Sequence, residues 1–259
     1  MSGLPLALGD LVLDRFRGIS FDLFGTLVLP EESLMPRLVI DGVEYQTLLA
    51  APLQILAEHL PGFIPGNVLS SYAQAVEETR RRLAADRGRE LPREWTFLRW
   101  LEHLGLPDPS LARTLASALM DATLRAAAPS ADLLPLLGTL RDRGISLGLI
   151  SNLADADGGR LLLKHLELDR YFDVMIFSGD LGRRKPDSRI YLHAAHRLGQ
   201  LPENLLHIGD EWEADITGAC NAGFTALWVG NDKSGYNDTA ALNAPICRFS
   251  EFADFVLTE

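Results

Sequence analysis

Short apolar runs recur along this chain, and in its second half they alternate with amphipathic segments. The runs cover residues 19–24, 145–150, 173–178, 204–209 and 225–229. The amphipathic segments have the 3.6-residue period of helices and cover 158–168, 187–199 and 213–223. Apolar strands that alternate with helices are typical of a parallel sheet covered by helices on both faces. The pattern therefore predicts an α/β fold with a doubly wound parallel sheet.

The region between the first two apolar runs has a different hydrophobic pattern. From about residue 44 to 143 it shows helical periodicity only, in the segments 45–60, 68–88, 92–105, 110–128 and 131–144. The last of these returns the chain to the sheet. We therefore predict an α/β core formed by residues 1–30 and 131–259, with an inserted all-helical cap over 31–130.

Length and charge narrow the class of protein. With 259 residues the chain has room for a core domain that carries a smaller one. Its net charge of -11 argues against general affinity for nucleic acid or an anionic membrane. No stretch approaches the ~20 apolar residues of a membrane span, and the start of the chain lacks the basic, then apolar pattern of a signal peptide. We expect a cytoplasmic protein that acts on a small molecule, and the sequence leaves its oligomeric state open.

Polar residues stand at the ends of the predicted strands, where a doubly wound sheet collects its reactive groups. Asp22 ends the first run and is followed by Gly25, which permits a sharp turn, and by Thr26, whose hydroxyl and backbone N–H suit an anion. Ser151 and Asn152 follow the second run and can hold an anionic oxygen, although they also suit an ordinary helix cap.

Two further motifs follow later strands. Lys185 immediately precedes Pro186, and its ammonium can neutralise charge on a transferred group, although a solvated lysine is the alternative. Asp210 directly follows the run 204–209, and Asp215 comes five residues later. These two carboxylates would repel Asp22 in one crevice unless a cation joined them. Magnesium fits best because it prefers oxygen ligands, and favourable acids at a helix start are the alternative.

In this order, the four motifs resemble those of the haloacid dehalogenase (HAD) superfamily of hydrolases, in the branch with a helical cap inserted after the first motif. The resemblance covers nearly the whole chain and implies a Rossmann-like core and a covalent intermediate on an aspartate. It implies that Asp22 is the nucleophile, that Thr26, Ser151 and Asn152 bind the transferred group, and that Lys185 neutralises charge.

The resemblance also implies a Mg²⁺ site. In the phosphatases of the superfamily, its ligands would correspond to Asp22, the backbone carbonyl of Phe24 and Asp210, with Asp215 in support. Phe24 itself departs from the phosphatase pattern, which has at this position a carboxylic acid that protonates the leaving group. General acid–base help is typically worth about 10²–10⁴ in rate. We therefore expect a slow, Mg²⁺-dependent phosphatase that acts on a small phosphorylated metabolite.

Two alternatives remain open. The superfamily's L-2-haloacid dehalogenases likewise lack the second acid, but they need no magnesium and lack the acidic fourth motif. Their carboxylate-binding arginine would be expected early in the cap, where Arg37 is the nearest candidate. The chain can also be a binding or regulatory protein on a retained hydrolase scaffold. Acids that can replace the missing one follow the first and second motifs: Glu31, Glu32, Asp155 and Asp157.

Overall fold

Two compact units make up the fold. The computed structural model describes residues 5–40, 42–60, 65–86, 88–129, 132–230 and 244–258. The first unit consists of Met1–Leu29 and Pro129–Glu259, and the second of Pro30–Ala128. The predicted limits of the cap, 31 and 130, lie one and two residues from these. The predicted core segments also contain 1–4, 131, 231–243 and 259, which lie outside the described residues.

A six-stranded sheet forms the centre of the first unit. Its strands are β1 (Pro5–Leu6), β2 (Gly18–Phe21), β7 (Ser146–Ser151), β8 (Val174–Phe177), β9 (Leu205–Gly209) and β10 (Thr225–Trp228). Their order is β1-β10-β9-β2-β7-β8, and all neighbours are parallel. The five predicted strands and the doubly wound parallel sheet are thus confirmed.

The strand order reverses at β2. Among the strands of this sheet, β7 and β8 come next along the chain after β2 and lie on one side of it. The later strands β9 and β10 lie on the other side. In doubly wound sheets, ligands bind at the carboxyl edge beside such a reversal. Asp22 directly follows β2 and therefore lies at this point.

Helices connect the strands of the first unit. They cover Leu133–Asp142, Ala156–His165, Ser178–Leu181, Ser188–Leu198, Gly218–Asn221 and Phe249–Thr258, with a π-helix at Trp212–Thr217. Single 3₁₀ turns occur at Leu8–Asp10, Leu13–Arg15, Asp169–Tyr171 and Pro202–Asn204. The helices predicted over 158–168 and 187–199 are confirmed. The segment 213–223 is also helical, but its first part is wound as a π-helix, a form that frequently occurs at functional sites.

The second unit is mostly helical. Its helices are Ala50–His59, Pro65–Ala85, Trp95–His103 and Pro109–Ala126, with a 3₁₀ turn at Glu32–Leu34. Trp100 is fully buried among them, and its Nε1–H donates to Val68 O at 2.9 Å. The second unit therefore has a hydrophobic core of its own.

The second unit departs from the all-helical expectation because it also contains strands. Strands β4 (Arg37–Ile40) and β5 (Val43–Gln46) form an antiparallel hairpin. An Asp-Gly pair between β-branched residues is a strong hairpin signal, and Gly42 has the positive φ, 79°, that such a turn needs. Strands β3 (Val28–Pro30) and β6 (Ala127–Pro129) form a second two-stranded sheet.

Among the described residues, no helix has the length and apolar content that a membrane span requires.

Candidate active site

Asp22 is held at the carboxyl end of β2 by the sheet itself. Its backbone N–H donates to Ile208 O of β9 at 2.9 Å, which continues the ladder one residue beyond the strand. Leu23, the next residue, is fully buried and anchors the start of the turn. Asp22 is 8% exposed as a residue, and its side chain is 12% exposed, so the side chain is mostly buried but not fully enclosed.

Lys185 lies between two carboxylates. Its Nζ donates to Asp22 Oδ1 at 2.7 Å and to Asp215 Oδ1 at 2.6 Å. The side chain is 1% exposed, so Lys185 is not the solvated lysine of the alternative interpretation. Burial disfavours the ammonium, but the charges of Asp215 and Asp22 outweigh it and raise the pKa of Lys185 above its usual value. Lys185 is therefore a fixed positive charge in contact with the predicted nucleophile.

Asp210 and Asp215 are positioned by different elements. Asp210 follows β9, its Oδ1 accepts a hydrogen bond from Thr26 Oγ1 at 3.0 Å, and its backbone carbonyl accepts one from Trp228 Nε1 at 2.9 Å. Asp215 lies in the π-helix, and its Oδ2 accepts from the Glu211 backbone N–H at 2.9 Å. Both carboxylates thus have fixed orientations.

Three of the predicted acids converge. Oxygen atoms of Asp22, Asp210 and Asp215 lie within 4.8 Å of one another. Burial, opposed by Lys185, raises the pKa of Asp22 to about 7, and burial together with Asp215 raises the pKa of Asp210 to about 6. Asp215 is also buried, yet Lys185 and His207 hold its pKa well below the usual range. The cluster contains three carboxyl groups and one ammonium, so its charge favours the binding of a further cation. Its all-oxygen donor set fits Mg²⁺.

The turn after Asp22 brings the first and fourth motifs into contact. Gly25 has φ 85°, and its backbone N–H donates to Val28 O at 3.1 Å. Leu23 O accepts from the N–H groups of Leu27 and Val28, at 2.9 and 3.0 Å. These bonds use the carbonyls of Leu23 and Val28 rather than that of Phe24, so they are compatible with the role predicted for the Phe24 carbonyl, which stays a prediction.

Gly25→Ala is expected to disturb the acidic cluster. A Cβ at this position would lie 2.3 Å from Asp210 Oδ2, on a backbone with positive φ. We expect lower thermal stability, by about 1–3 kcal/mol for the strained backbone alone, and weaker Mg²⁺ binding by titration calorimetry. Gly144→Ala is the matched control, because Gly144 has φ 76° and open space around its would-be Cβ. Equal Mg²⁺ affinity in both variants would contradict the prediction.

Ser151 and Asn152 lie at the end of β7 on the same edge of the sheet. Ser151 is 2% exposed. The Asn152 amide pairs with the backbone of the third motif: its Oδ1 accepts from Lys185 N–H at 2.7 Å, and its Nδ2 donates to Lys185 O at 3.1 Å. Asn152 therefore fixes the segment that carries Lys185. The roles of Thr26, Ser151 and Asn152 in substrate binding stay predictions.

Local partners are seen for three of the four acids proposed to replace the one missing at Phe24, and Glu32 is the fourth. Asp155 caps the helix Ala156–His165 by accepting from Gly158 N–H at 3.1 Å. The fully exposed Asp157 pairs with Arg160 at 3.3 Å, and Glu31 accepts from Ser33 Oγ at 2.9 Å. These contacts explain the acids as caps and surface pairs, and none requires a catalytic role.

Two buried residues of the site escaped the sequence analysis. His207 lies inside the apolar run Leu205–Gly209, with Nε2 3.3 Å from Asp215 Oδ1 and Nδ1 2.9 Å from Ser20 Oγ. Burial lowers the pKa of His207 despite the contact with Asp215, so the ring is neutral at physiological pH. The signal was a single histidine in an otherwise apolar strand. Trp228, which holds the Asp210 carbonyl, gave no such signal because it reads as an ordinary apolar strand residue.

Comparison with known proteins gives relatives of two reaction classes, phosphatases and a dehalogenase. The glyceraldehyde 3-phosphate phosphatase of Methanopyrus kandleri is 32% identical over 158 residues, which cover 60% of this chain and 65% of that protein. The (S)-2-haloacid dehalogenase of Pseudomonas putida is 31% identical over 148 residues, which cover 56% of this chain and 62% of that protein. The chain thus spans less than two thirds of each of these relatives.

Structural similarity extends over nearly the whole chain. The crystal structure of a HAD phosphatase from Thermococcus onnurineus has a TM-score of 0.54 and 23% identity, and the match covers 93% of this chain and 98% of that one. This likeness concerns the fold alone. The sequence family of haloacid dehalogenase-like hydrolases matches residues 16–223, which contain all four motifs. Because this match extends over well more than half of its length, the chain belongs to the haloacid dehalogenase-like hydrolases.

Proposed function

We propose that this protein is a Mg²⁺-dependent phosphatase that hydrolyses a small phosphorylated metabolite through an aspartyl-phosphate on Asp22. The main support for the proposal is the acidic cluster, in which carboxylate oxygens of Asp22, Asp210 and Asp215 lie within 4.8 Å of one another. Lys185 donates hydrogen bonds to two of these residues, Asp22 and Asp215. An acidic cluster that needs a cation suits transfer of an anionic phosphoryl group, whereas halide displacement from a 2-haloacid has no need of one. The phosphatase from Methanopyrus kandleri supports the same substrate class.

In the proposed mechanism, an oxygen of Asp22 attacks phosphorus, the bond to the leaving oxygen breaks, and that oxygen takes up a proton from solvent. Lys185 holds Asp22 Oδ1 at 2.7 Å, so the carboxylate is oriented before substrate arrives. Water then attacks the phosphorus of the aspartyl-phosphate and loses a proton to solvent, and phosphate leaves Asp22 as a carboxylate again. Asp22, Asp210 and the Phe24 carbonyl would hold Mg²⁺, which when bound supplies positive charge near the phosphoryl oxygens.

An L-2-haloacid dehalogenase is the second candidate. Phe24 supports it because halide departs without a proton, and so does the relative from Pseudomonas putida. The arginine predicted for the substrate carboxylate in that case, Arg37, pairs with Glu44 at 3.0 Å, with both side chains more than half exposed. Its charge is therefore already partnered on the hairpin β4–β5, which makes this candidate the weaker one.

One assay separates the candidates. The purified protein is given p-nitrophenyl phosphate or 2-chloropropionate, each with Mg²⁺ and with excess chelator, and the release of phosphate or chloride is measured. We expect phosphate release that requires Mg²⁺ and no chloride release. Chloride release in the presence of chelator would overturn the phosphatase proposal. Absence of both reactions together with absence of Mg²⁺ binding would favour a binding or regulatory role on the same scaffold.

Mg²⁺ affinity is expected to depend steeply on pH. A cation must displace the protons that the raised pKa values, about 7 for Asp22 and about 6 for Asp210, retain in the metal-free protein. The affinity should therefore tighten as pH rises through 6 to 7, by up to about tenfold per pH unit for each proton released, and level off above that. Calorimetry in two buffers with different ionisation enthalpies measures the proton release directly.

The melting temperature of the protein provides an independent check on the pH dependence of Mg²⁺ binding. Because both folded-state pKa values lie above the ordinary 3.8, these carboxyls contribute stability that is fully present below pH 3.8 and lost as pH rises through 6 to 7. Mg²⁺ should consequently raise the melting temperature more at about pH 8 than at about pH 5.5. Asp210→Asn should weaken Mg²⁺ binding and reduce this difference. An affinity that is constant across this range would contradict the assignment of Asp22 and Asp210 as ligands.

A further inference from the structure

His207 and Ser20 form a buried polar pair behind the acidic cluster. Both side chains are fully buried in strands that are otherwise apolar, β9 and β2. The parallel register of the two strands pairs Ser20 with His207, so the sheet itself places the hydroxyl beside the ring. Buried polar side chains cost stability unless each is hydrogen-bonded. Their presence in the centre of the sheet therefore calls for a specific role.

The contacts of His207 are consistent with one arrangement of its protons. An ionised carboxylate only accepts hydrogen bonds, so the contact with Asp215 Oδ1 requires the proton on Nε2. Nδ1 then lacks a proton and accepts from the Ser20 hydroxyl at 2.9 Å. That hydroxyl also lies 3.5 Å from Leu206 O, which is the longer of its two contacts. The result is a directed chain of hydrogen bonds from Ser20 through His207 to Asp215.

Packing fixes the plane of the His207 ring. The ring of Tyr191 stands at 82° to it, with 5.2 Å between the centroids. Tyr191 is in turn held by its hydroxyl, which donates to Ala214 O, the residue before Asp215. The imidazole thus has a fixed orientation, and its N–H points to one carboxylate oxygen.

That oxygen is the one that Lys185 also uses. Asp215 Oδ1 accepts from Lys185 Nζ at 2.6 Å and from His207 Nε2 at 3.3 Å, while Oδ2 is held by the Glu211 backbone N–H at 2.9 Å. Without His207, Oδ1 would keep only the ammonium of Lys185, which Asp22 also attracts. The carboxylate could then rotate, and Lys185 could shift towards either acid.

We propose that His207 is a positioning residue: as a neutral imidazole protonated at Nε2 and oriented by Ser20, it fixes the Asp215 carboxylate and, through it, the Lys185 ammonium beside Asp22. This inference rests on the proposed phosphatase function, because the groups it positions are the nucleophile's partners and the support of the cation site. Partners of this kind behind a metal site are typically worth about 10–100-fold in metal affinity or activity.

The first test reads the tautomer in the metal-free wild-type protein. Long-range ¹H–¹⁵N NMR spectra distinguish the two ring nitrogens of each histidine, and His207→Gln identifies the signals of His207. We expect a neutral ring with the proton on Nε2, and the same tautomer in Ser20→Ala, because the contact with Asp215 selects it. A proton on Nδ1 in the wild-type protein would overturn the proposal.

The second test compares two replacements of His207. The amide nitrogen of glutamine can replace the Nε2–H donor to Asp215, whereas leucine has no donor. We expect His207→Leu to weaken Mg²⁺ binding about tenfold by calorimetry and to lower kcat for p-nitrophenyl phosphate more than it raises KM, and His207→Gln to recover most of both losses. His196→Leu, on an exposed position of the helix Ser188–Leu198, is the control and should match wild type.

The outcomes separate this inference from the proposed function. A folded His207→Leu protein with wild-type Mg²⁺ affinity and kcat would overturn the positioning role while leaving the phosphatase intact. The same follows if glutamine is no better than leucine in proteins of equal melting temperature. If the wild-type protein neither binds Mg²⁺ nor releases phosphate, the proposed function fails. The NMR measurement of the His207 tautomer then still tests whether the hydrogen-bond chain from Ser20 through His207 to Asp215 exists.

Discussion

Asp22→Asn is expected to lower kcat for p-nitrophenyl phosphate by about 10⁴-fold or more. An amide is a poor nucleophile, so the covalent route through an aspartyl-phosphate is closed and only slow direct attack by water remains. Asparagine has the shape of aspartate, and its oxygen can still accept the hydrogen bond from Lys185 that Asp22 Oδ1 accepts at 2.7 Å. The loss is thus attributable to chemistry more than to folding.

The covalent intermediate gives a direct readout of this prediction. Wild-type protein mixed with ³²P-labelled substrate and quenched in acid should retain label, and hydroxylamine should release it, as expected for an acyl phosphate. Asp22→Asn should retain none. Because Asp22 is also a predicted Mg²⁺ ligand, both proteins are compared at Mg²⁺ concentrations that saturate each of them.

Asp157→Asn is the matched control for the loss of a carboxylate. Asp157 stands near the second motif, but its side chain is fully exposed and pairs only with Arg160 among the contacts described for it. We expect wild-type activity and full labelling in this variant. Labelling of Asp22→Asn, or activity above about one hundredth of wild type, would show that the phosphoryl group is carried elsewhere.

The placement of the site could be predicted from the sequence because parallel strands share one carboxyl edge. Asp22, Ser151 and Asp210 each end or follow an apolar run, and a doubly wound sheet brings such ends together whatever the exact strand limits are. The strand with Asp22 was predicted over 19–24 and is Gly18–Phe21. Although the observed strand ends earlier than predicted, Asp22 still lies at its carboxyl end, because the Asp22 N–H continues the hydrogen-bond ladder between β2 and β9.

What escaped prediction depends on contacts between residues far apart in sequence. Asn152 was interpreted as a ligand for an anion, which stays a prediction, and the sequence did not indicate that its amide pairs on both sides with the backbone of Lys185. His207 was hidden in an apolar run, and only the register of β2 against β9 brings Ser20 to its ring. Amide and imidazole side chains have many possible partners, so composition and spacing alone do not select among them.

The hairpin β4–β5 was missed for a different reason. Residues 37–46 contain the Asp41-Gly42 signal, but their end overlaps the long region of helical periodicity that dominated the interpretation of the insertion. Strands as short as Arg37–Ile40 contain too few residues for a period of two to stand out. Turn chemistry was here the better guide than periodicity.

Phe24→Asp is expected to raise kcat for alkyl phosphates by about 10²-fold. An alkoxide is a poor leaving group unless it receives a proton as the bond breaks, and a carboxylic acid two residues after Asp22 is placed to supply one. Phe24 is only half-buried and follows the anchored Leu23, so a smaller polar side chain at this position leaves the buried core intact. Aryl phosphates, whose leaving groups need no proton, should gain much less.

The dependence on the leaving group is the measurement that tests this idea. Rates are compared across a series of alkyl and aryl phosphates with rising leaving-group pKa for wild type, Phe24→Asp and Phe24→Asn. Asparagine has the size of aspartate but no acidic proton, so Phe24→Asn should keep the steep wild-type slope while Phe24→Asp flattens it. An Asp variant that folds, binds Mg²⁺ and keeps the wild-type slope would mean that another acid already protonates the leaving group. The contacts of Asp155 and Glu31 as a helix cap and a surface pair argue against such a substitute, so the position of Phe24 itself should set which phosphates this enzyme can hydrolyse quickly.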